Sequence, residues 1–289
     1  MGGDPRELTR TMWTLFEPVH AVTYFAPQAR AAFEAAGLRG FWRGYFAGRA
    51  APFGAVGAGP VYATFFGFSD AMVRRALPDV WTRADPAAAL TARCEGARQA
   101  LSAVLGDVPP EAVVETATLL RTAASTVDVA GRALAAANAD LPWPEDALDV
   151  LWQAATVLRE HRGDGHVAAL LVAGLDGIET QVWRAALDGT REVLQPARGW
   201  SDEEWAAAAA RLTARGWLRP DGVAADAAYA ARDEIEHTTD ALASAPWRWL
   251  GTERTARLAA LLTPIAAAAR AYLPDKTPIG LPPSPTADN

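Results

Sequence analysis

Residues 201–224 run SDEEWAAAAARLTARGWLRPDGVA. Ser201 followed three residues later by Glu204 is the spacing of a capping box, in which the two side chains satisfy backbone N–H groups at the start of a helix. The alanine run that follows has the highest helix propensity of any residue type, and Gly216 supplies a stop. Beyond it, WLRPDGVA sets apolar residues on both sides of Pro-Asp-Gly, which is tight-turn chemistry, so two short strands are expected there. IETQVWRAAL, at 178–187, predicts a helix upstream, and the residues after Ala224 predict another downstream. The expected order is helix, tight turn, second helix and short β-wing.

Outward from this stretch, helical signals dominate. PRELTRTMWTLFEPVH places Leu8, Met12, Leu15 and Phe16 at spacings of three and four, an apolar stripe. APQARAAFEAAGL predicts a helix stopped by Gly37, and SDAMVRRAL one that starts from Ser69 and ends at Pro78. Long Ala- and Arg-rich segments follow at 85–106 and 109–139. DLPWPED, at 140–146, carries two prolines and is the expected linker between residues 1–140 and 141–289. AAGLRGFW (35–42) and VAGLDGIE (172–179) share one pattern, and FSD (68–70) and WSD (200–202) recur in the same order. The fold class expected is mostly α, with two related winged-helix-like halves, short β-wings and a shared helical core.

Arranged in this order, the C-terminal elements resemble the winged helix of MarR-type regulators. MWTLFEPVHAVTYFAPQ, GYFAGRAAPFGAVGAGPV, FFGFSDAMVRRALPDVW and LREHRGDGHVAALLVAGLDGIE further resemble an actinobacterial family labelled helix-turn-helix. That resemblance implies two winged-helix-like halves and brings no reaction with it.

Charge argues against the usual task of such a fold. Net charge is −7 and Lys276 is the only lysine, whereas duplex binders carry a basic face that displaces counterions from phosphate. The second helix of the turn opens on Asp202, Glu203 and Glu204 and continues in alanine, leaving few donors for base edges. No specific nucleic-acid partner is expected. No basic leader precedes an apolar run and no window approaches about 18 apolar residues, so a cytoplasmic protein without a membrane partner is expected. The single cysteine, Cys94, forms neither an internal disulfide nor a metal cluster. A homodimer is compatible with the sequence.

Three polar corners remain as candidates for chemistry. In EHRGDGH (160–166), Gly163 and Gly165 predict a break between two helices, with Asp164 capping the second and His161, Arg162 and His166 facing a cavity. In EPVH, Pro18 predicts a stop or kink that leaves Glu17 beside His20, a carboxylate–imidazole pairing suited to acid–base work. GRAAPFGAVGAGPV (48–61) lacks the lysine of a phosphate loop and the spacing of a dinucleotide fingerprint, so no cofactor is expected. Its small residues between aromatic stretches suggest instead a pocket wall, with Arg49 as the lone charge and Phe53 beside it. Two histidines and a carboxylate make a thin ligand set, so no metal is expected. The function expected is binding of a small, largely apolar or aromatic molecule by Glu17, His20, Arg49, Phe53, His161, Arg162 and His166. The alternative is an enzyme tailoring a specialised metabolite with Glu17, His20, His161 and Asp164 as acid and base; a transcription regulator is third.

Overall fold

A computed structural model describes residues 5–281. Helices dominate: α1 Pro5–Phe25, α2 Pro27–Ala35, α3 Phe41–Ala50, α4 Ala58–Phe65, α5 Asp70–Ala76, α6 Pro86–Val104, α7 Pro110–Ala124 and α8 Ala133–Ala139. They continue as α9 Ala147–Val172, α10 Gly177–Asp188, α11 Arg191–Arg198, α12 Asp202–Ala214, α13 Asp226–Leu242, α14 Ala245–Leu250 and α15 Thr252–Tyr272. Ser69 caps α5, and Ser201 with Glu204 forms the reciprocal capping box that starts α12.

Three apolar clusters organise these helices. The main one joins α1, α6, α7, α9, α14 and α15; a second gathers α2 to α5 with part of α6; a third holds α10, α12 and α13 on the end of α9. The main core therefore crosses the expected boundary at 140, because α9 packs along α7, α8 and α1. Among the described residues no membrane-length apolar helix occurs.

The β-wings expected from the sequence do not form sheets. Only one antiparallel bridge, Leu218 with Ala224, is present among the described residues. Arg219 N–H donates to Val223 O and Ala225 N–H to Trp217 O, each at 2.9 Å. Pro220, Asp221 and Gly222 consume the middle of the segment, leaving too few residues for a ladder.

Two predicted breaks are also absent, for one physical reason. α1 stays helical through Pro18, and α9 runs unbroken through Gly163 and Gly165. An interior proline costs about 3 kcal/mol and a glycine about 1 kcal/mol relative to alanine. Both helices bury apolar side chains on each side of the weak residue: Phe16, Val19 and Val22 in α1, Leu158, Ala169 and Leu170 in α9. Burial of several such side chains, at about 1.5–3 kcal/mol each, exceeds the local cost. Gly165 also has a packing reason, since a Cβ there would lie 2.7 Å from Arg132 Nη1 and 3.4 Å from Leu242 Cβ.

The repeated small-Ala-Gly-Leu pattern has a local explanation. Gly37 and Gly174 both adopt positive φ, at 89° and 71°, and Leu38 and Leu175 donate back to the carbonyls of Phe33 and Leu170. Gly216 with Trp217 and Leu212 ends α12 the same way. Each is a left-handed helix terminus followed by a buried anchor residue.

Candidate functional site

A cleft of about 860 Å³ lies between one wall of α1, α3 and α9 and a facing wall of α10, α11, α13 and the segment after α15. Although the whole chain is acidic, arginines crowd this cleft: Arg10, Arg49, Arg159, Arg162, Arg184, Arg198 and Arg232 all line it. What balances each one decides what the cleft can do.

On the α9 wall, Glu160 accepts Arg49 Nε and Nη2 at 3.0 Å each and Arg159 Nη1 at 2.9 Å. Burial alone would raise Glu160, but the two guanidiniums overcome it and hold the carboxyl well below the usual range. Glu17 accepts Trp13 Nε1 at 3.1 Å and lies 3.6 Å from Arg159 Nε. A second group ties α13 to α1 and α9: Arg162 Nη2 donates to Glu236 at 2.8 Å and Asp240 at 3.2 Å, and Arg10 pairs with the same two acids. The Arg162 guanidinium stacks 4.4 Å from the centre of the Trp13 ring. In both groups two cations meet two acids.

The third group does not balance. Arg184 lies 3.6 Å from Asp188, but Arg198 has no carboxylate partner among the described residues. Only 8% exposed, Arg198 donates Nη2 to the Pro278 carbonyl at 2.9 Å, and its Nε is buried without a partner. Its guanidinium also covers the Phe68 ring at 4.4 Å. Burial pushes its pKa down to about 10, which still leaves it charged at neutral pH.

The predicted site residues distribute unevenly around this cleft. Glu17, Arg49, Arg162, Asp164 and His166 line it. His166 Nδ1 lies 2.9 Å from Thr239 Oγ1, whose own hydrogen goes to Ile235 O, so the imidazole donates from Nδ1. Burial pushes His166 down to about 4 and keeps it neutral. Asp164 caps a helix, but not the one expected: with α9 unbroken, its carboxylate accepts Ala135 N–H at 2.9 Å at the start of α8.

His20, Phe53 and His161 lie elsewhere. His161 sits on the opposite side of α9, buried beside Arg132 and Asp128, with its pKa pushed down to about 4 mainly by burial. Phe53 belongs to a short turn packed on the second apolar cluster. His20 and Glu17 do not bond, although three residues apart on a helix, because Glu17 is taken by Trp13 and Arg159 and His20 by Thr156 and Tyr24. The His20 Nδ1 atom lies 2.9 Å from Thr156 Oγ1, which donates its hydrogen to Trp152 O, while Nε2 faces the Tyr24 hydroxyl at 3.0 Å. His20 thus presents a lone pair to Tyr24 inside a small buried cavity behind the cleft wall. Tyr45, Arg198, Arg184 and Glu236 were missed; Glu236 and Asp240, one turn apart on α13 and opposite a basic stretch, carried the only readable signal. Among the described residues no three potential metal ligands converge.

The two helices expected from the sequence, α10 and α12, pack together through the buried Trp205, Ala208 and Leu212, and α11 is a further helix where the sequence predicts only a turn between them. The chain belongs to a helix-turn-helix family. The family profile matches residues 9–274, so the helix-turn-helix assignment extends over nearly all of the chain. No curated protein matches the sequence, and no solved structure matches it. In this helix-turn-helix unit the exposed face of α12 presents Asp202, Glu203, Ala206, Ala207 and Ala210. Its arginines are exposed but paired: Arg211 reaches Asp176 and Glu179 at 2.7 Å each, and Arg215 donates to the carbonyls of Ala173 and Gly174.

Proposed function

We propose that this helix-turn-helix protein binds a small organic anion with an apolar or aromatic body in the cleft, and that α12 does not read duplex DNA. The observation that carries the reading is Arg198, a buried cation lining the cleft with no acid beside it among the described residues. Taking an ion out of water costs several kcal/mol unless a counter-charge is supplied, and a guanidinium matches a carboxylate in a two-bond fork. Trp13, Tyr45, Phe65 and Trp183 supply apolar walls around it. A membrane plays no part in this reading, and a homodimer is not required by it.

Thermal denaturation with benzoate, phenylacetate and their neutral amides tests the reading. A ligand at 100 times its Kd adds about 2.7 kcal/mol, a measurable rise in Tm. The carboxylates are expected to raise Tm, the amides are not, and Arg198→Gln is expected to lose the effect. Equal shifts from the amides, or full shifts in Arg198→Gln, would overturn it.

Family membership favours a second reading, a transcription regulator. Against it stand the acidic first turn of α12 and the pairing of Arg211 and Arg215 to neighbouring acids and carbonyls, which leave few donors for phosphate or base edges. A gel-shift titration near physiological salt decides: sequence-dependent, submicromolar binding supports the regulator, since nonspecific binding lies at about 10⁻⁴–10⁻⁶ M.

A further inference from the structure

We propose that Tyr45 is a catalytic residue that exchanges a proton with the bound anion, and that the substrate class is an enolisable oxo acid. The inference rests on the anion-binding reading above. Tyr45 lines the cleft from α3, Arg49 Nη1 donates to its oxygen at 3.3 Å, and Arg198 lines the same cleft from α11. A phenol whose oxygen accepts guanidinium hydrogens is prepared to carry negative charge.

The charges facing Tyr45 come from every side. Arg49 lies on its own helix, Arg198 on α11, Arg159 and Glu160 on α9, and Tyr24 on α1. Three cations face one carboxylate. Burial alone would raise the phenol, but Arg49, then Arg198 and Arg159, outweigh burial and lower it. Tyr24, its ring centre 5.1 Å away, moves the other way because burial dominates there. Of the two phenols, Tyr45 lines the cleft and accepts Arg49 Nη1, whereas Tyr24 meets His20 in the cavity behind it, so Tyr45 is the acid–base group. Behind it, neutral His20 accepts the Tyr24 hydrogen, so the Tyr24 oxygen is left to accept from the shared cavity of about 10 Å³, roughly the room for one water. His20 acts through Tyr24 and is a positioning residue.

The ligand chemistry follows from these groups. A carboxylate on Arg198 brings the carbonyl beside it, and the C–H carbon on the far side of that carbonyl, toward Tyr45; the carbonyl makes this C–H acidic enough for a phenolate. The phenolate takes this hydrogen as a proton. The C–H electron pair becomes the C=C bond of an enolate, and the carbonyl electron pair moves to oxygen, where a guanidinium hydrogen meets it. Returning the proton from Tyr45 to that oxygen gives the enol, and nothing else is consumed.

Phenylpyruvate is the probe. Its binding is read by the rise in Tm, and exchange of its benzylic hydrogens in heavy water is read by proton NMR across a pH series. The expected result is exchange well above buffer that rises with pH and levels off below the ordinary tyrosine range. Tyr45→Phe is expected to lose about 100-fold in exchange while the Tm rise persists. His20→Gln is expected to shift the pH profile with binding retained. Binding without exchange above buffer, or wild-type exchange in Tyr45→Phe, overturns the catalytic role and leaves anion binding standing. Absence of both binding and exchange overturns the two together.

Discussion

Asp164→Asn is expected to stabilise this protein at alkaline pH, although it removes the charge from a helix cap. The carboxylate accepts Ala135 N–H at 2.9 Å, an interaction that favours the ionised form, yet burial is the larger influence and lifts the group from 3.8 to about 6. At 1.36 kcal/mol per pH unit the difference amounts to about 3 kcal/mol. The folded state holds this proton more tightly than the unfolded chain does. Its contribution is therefore complete below the unfolded value near 3.8 and is lost as pH rises through 6. Asparagine keeps the acceptor oxygen and has no charge to bury, but its amide hydrogens need partners, at a cost of about 1 kcal/mol. The net expectation is a gain of about 2 kcal/mol near pH 8 that disappears near about pH 4.5, where the wild-type carboxyl is protonated in the folded state. Urea denaturation of both proteins at the two pH values measures it. A variant destabilised by the same amount at both pH values would show that the ionised cap, not its desolvation, governs this position.

Three further outcomes follow from the interior of α9. Gly163→Ala is expected to stabilise by up to about 1 kcal/mol, because the added methyl meets only Glu160 Oε2, at 3.7 Å, while helix propensity improves. Gly165→Ala is expected to destabilise by about 1–3 kcal/mol, since its methyl must displace Arg132 from its bond to the His161 carbonyl; paired denaturation curves compare the two. Glu160→Gln strands Arg49 and Arg159 on a buried neutral amide and is expected to cost about 3–5 kcal/mol by the same assay.

The helical character of the chain was legible because it is written in local terms: apolar spacing, alanine content, and the caps at Ser69 and Ser201. The wing was legible as a turn but not in its strand content, which depends on how many residues the turn leaves for pairing. The Arg198 position was not legible at all. Nothing in REVLQPARG marks one arginine as unpaired, because its lack of an acid is a property of α3, α9 and α11 brought together.

At EHRGDGH a single decision about backbone controlled the whole site. If Gly163 and Gly165 break the helix, His161 turns toward the cavity and Asp164 starts a new helix. If the helix continues, the period of 3.6 residues places Arg159, Arg162, Gly163, His166 and Leu170 on one face, and sets His161 about 140° from His166. The cleft is lined by those five, and His161 lies across the helix beside Arg132. The glycines are weak breakers here because breaking α9 would sever the one element shared by the main and third apolar clusters. Their local preference, about 1 kcal/mol each, is small beside the burial that a continuous helix secures at both ends. Two glycines inside an otherwise continuous helical pattern are therefore better taken as places where a neighbour comes close, and at Gly165 that neighbour is Arg132.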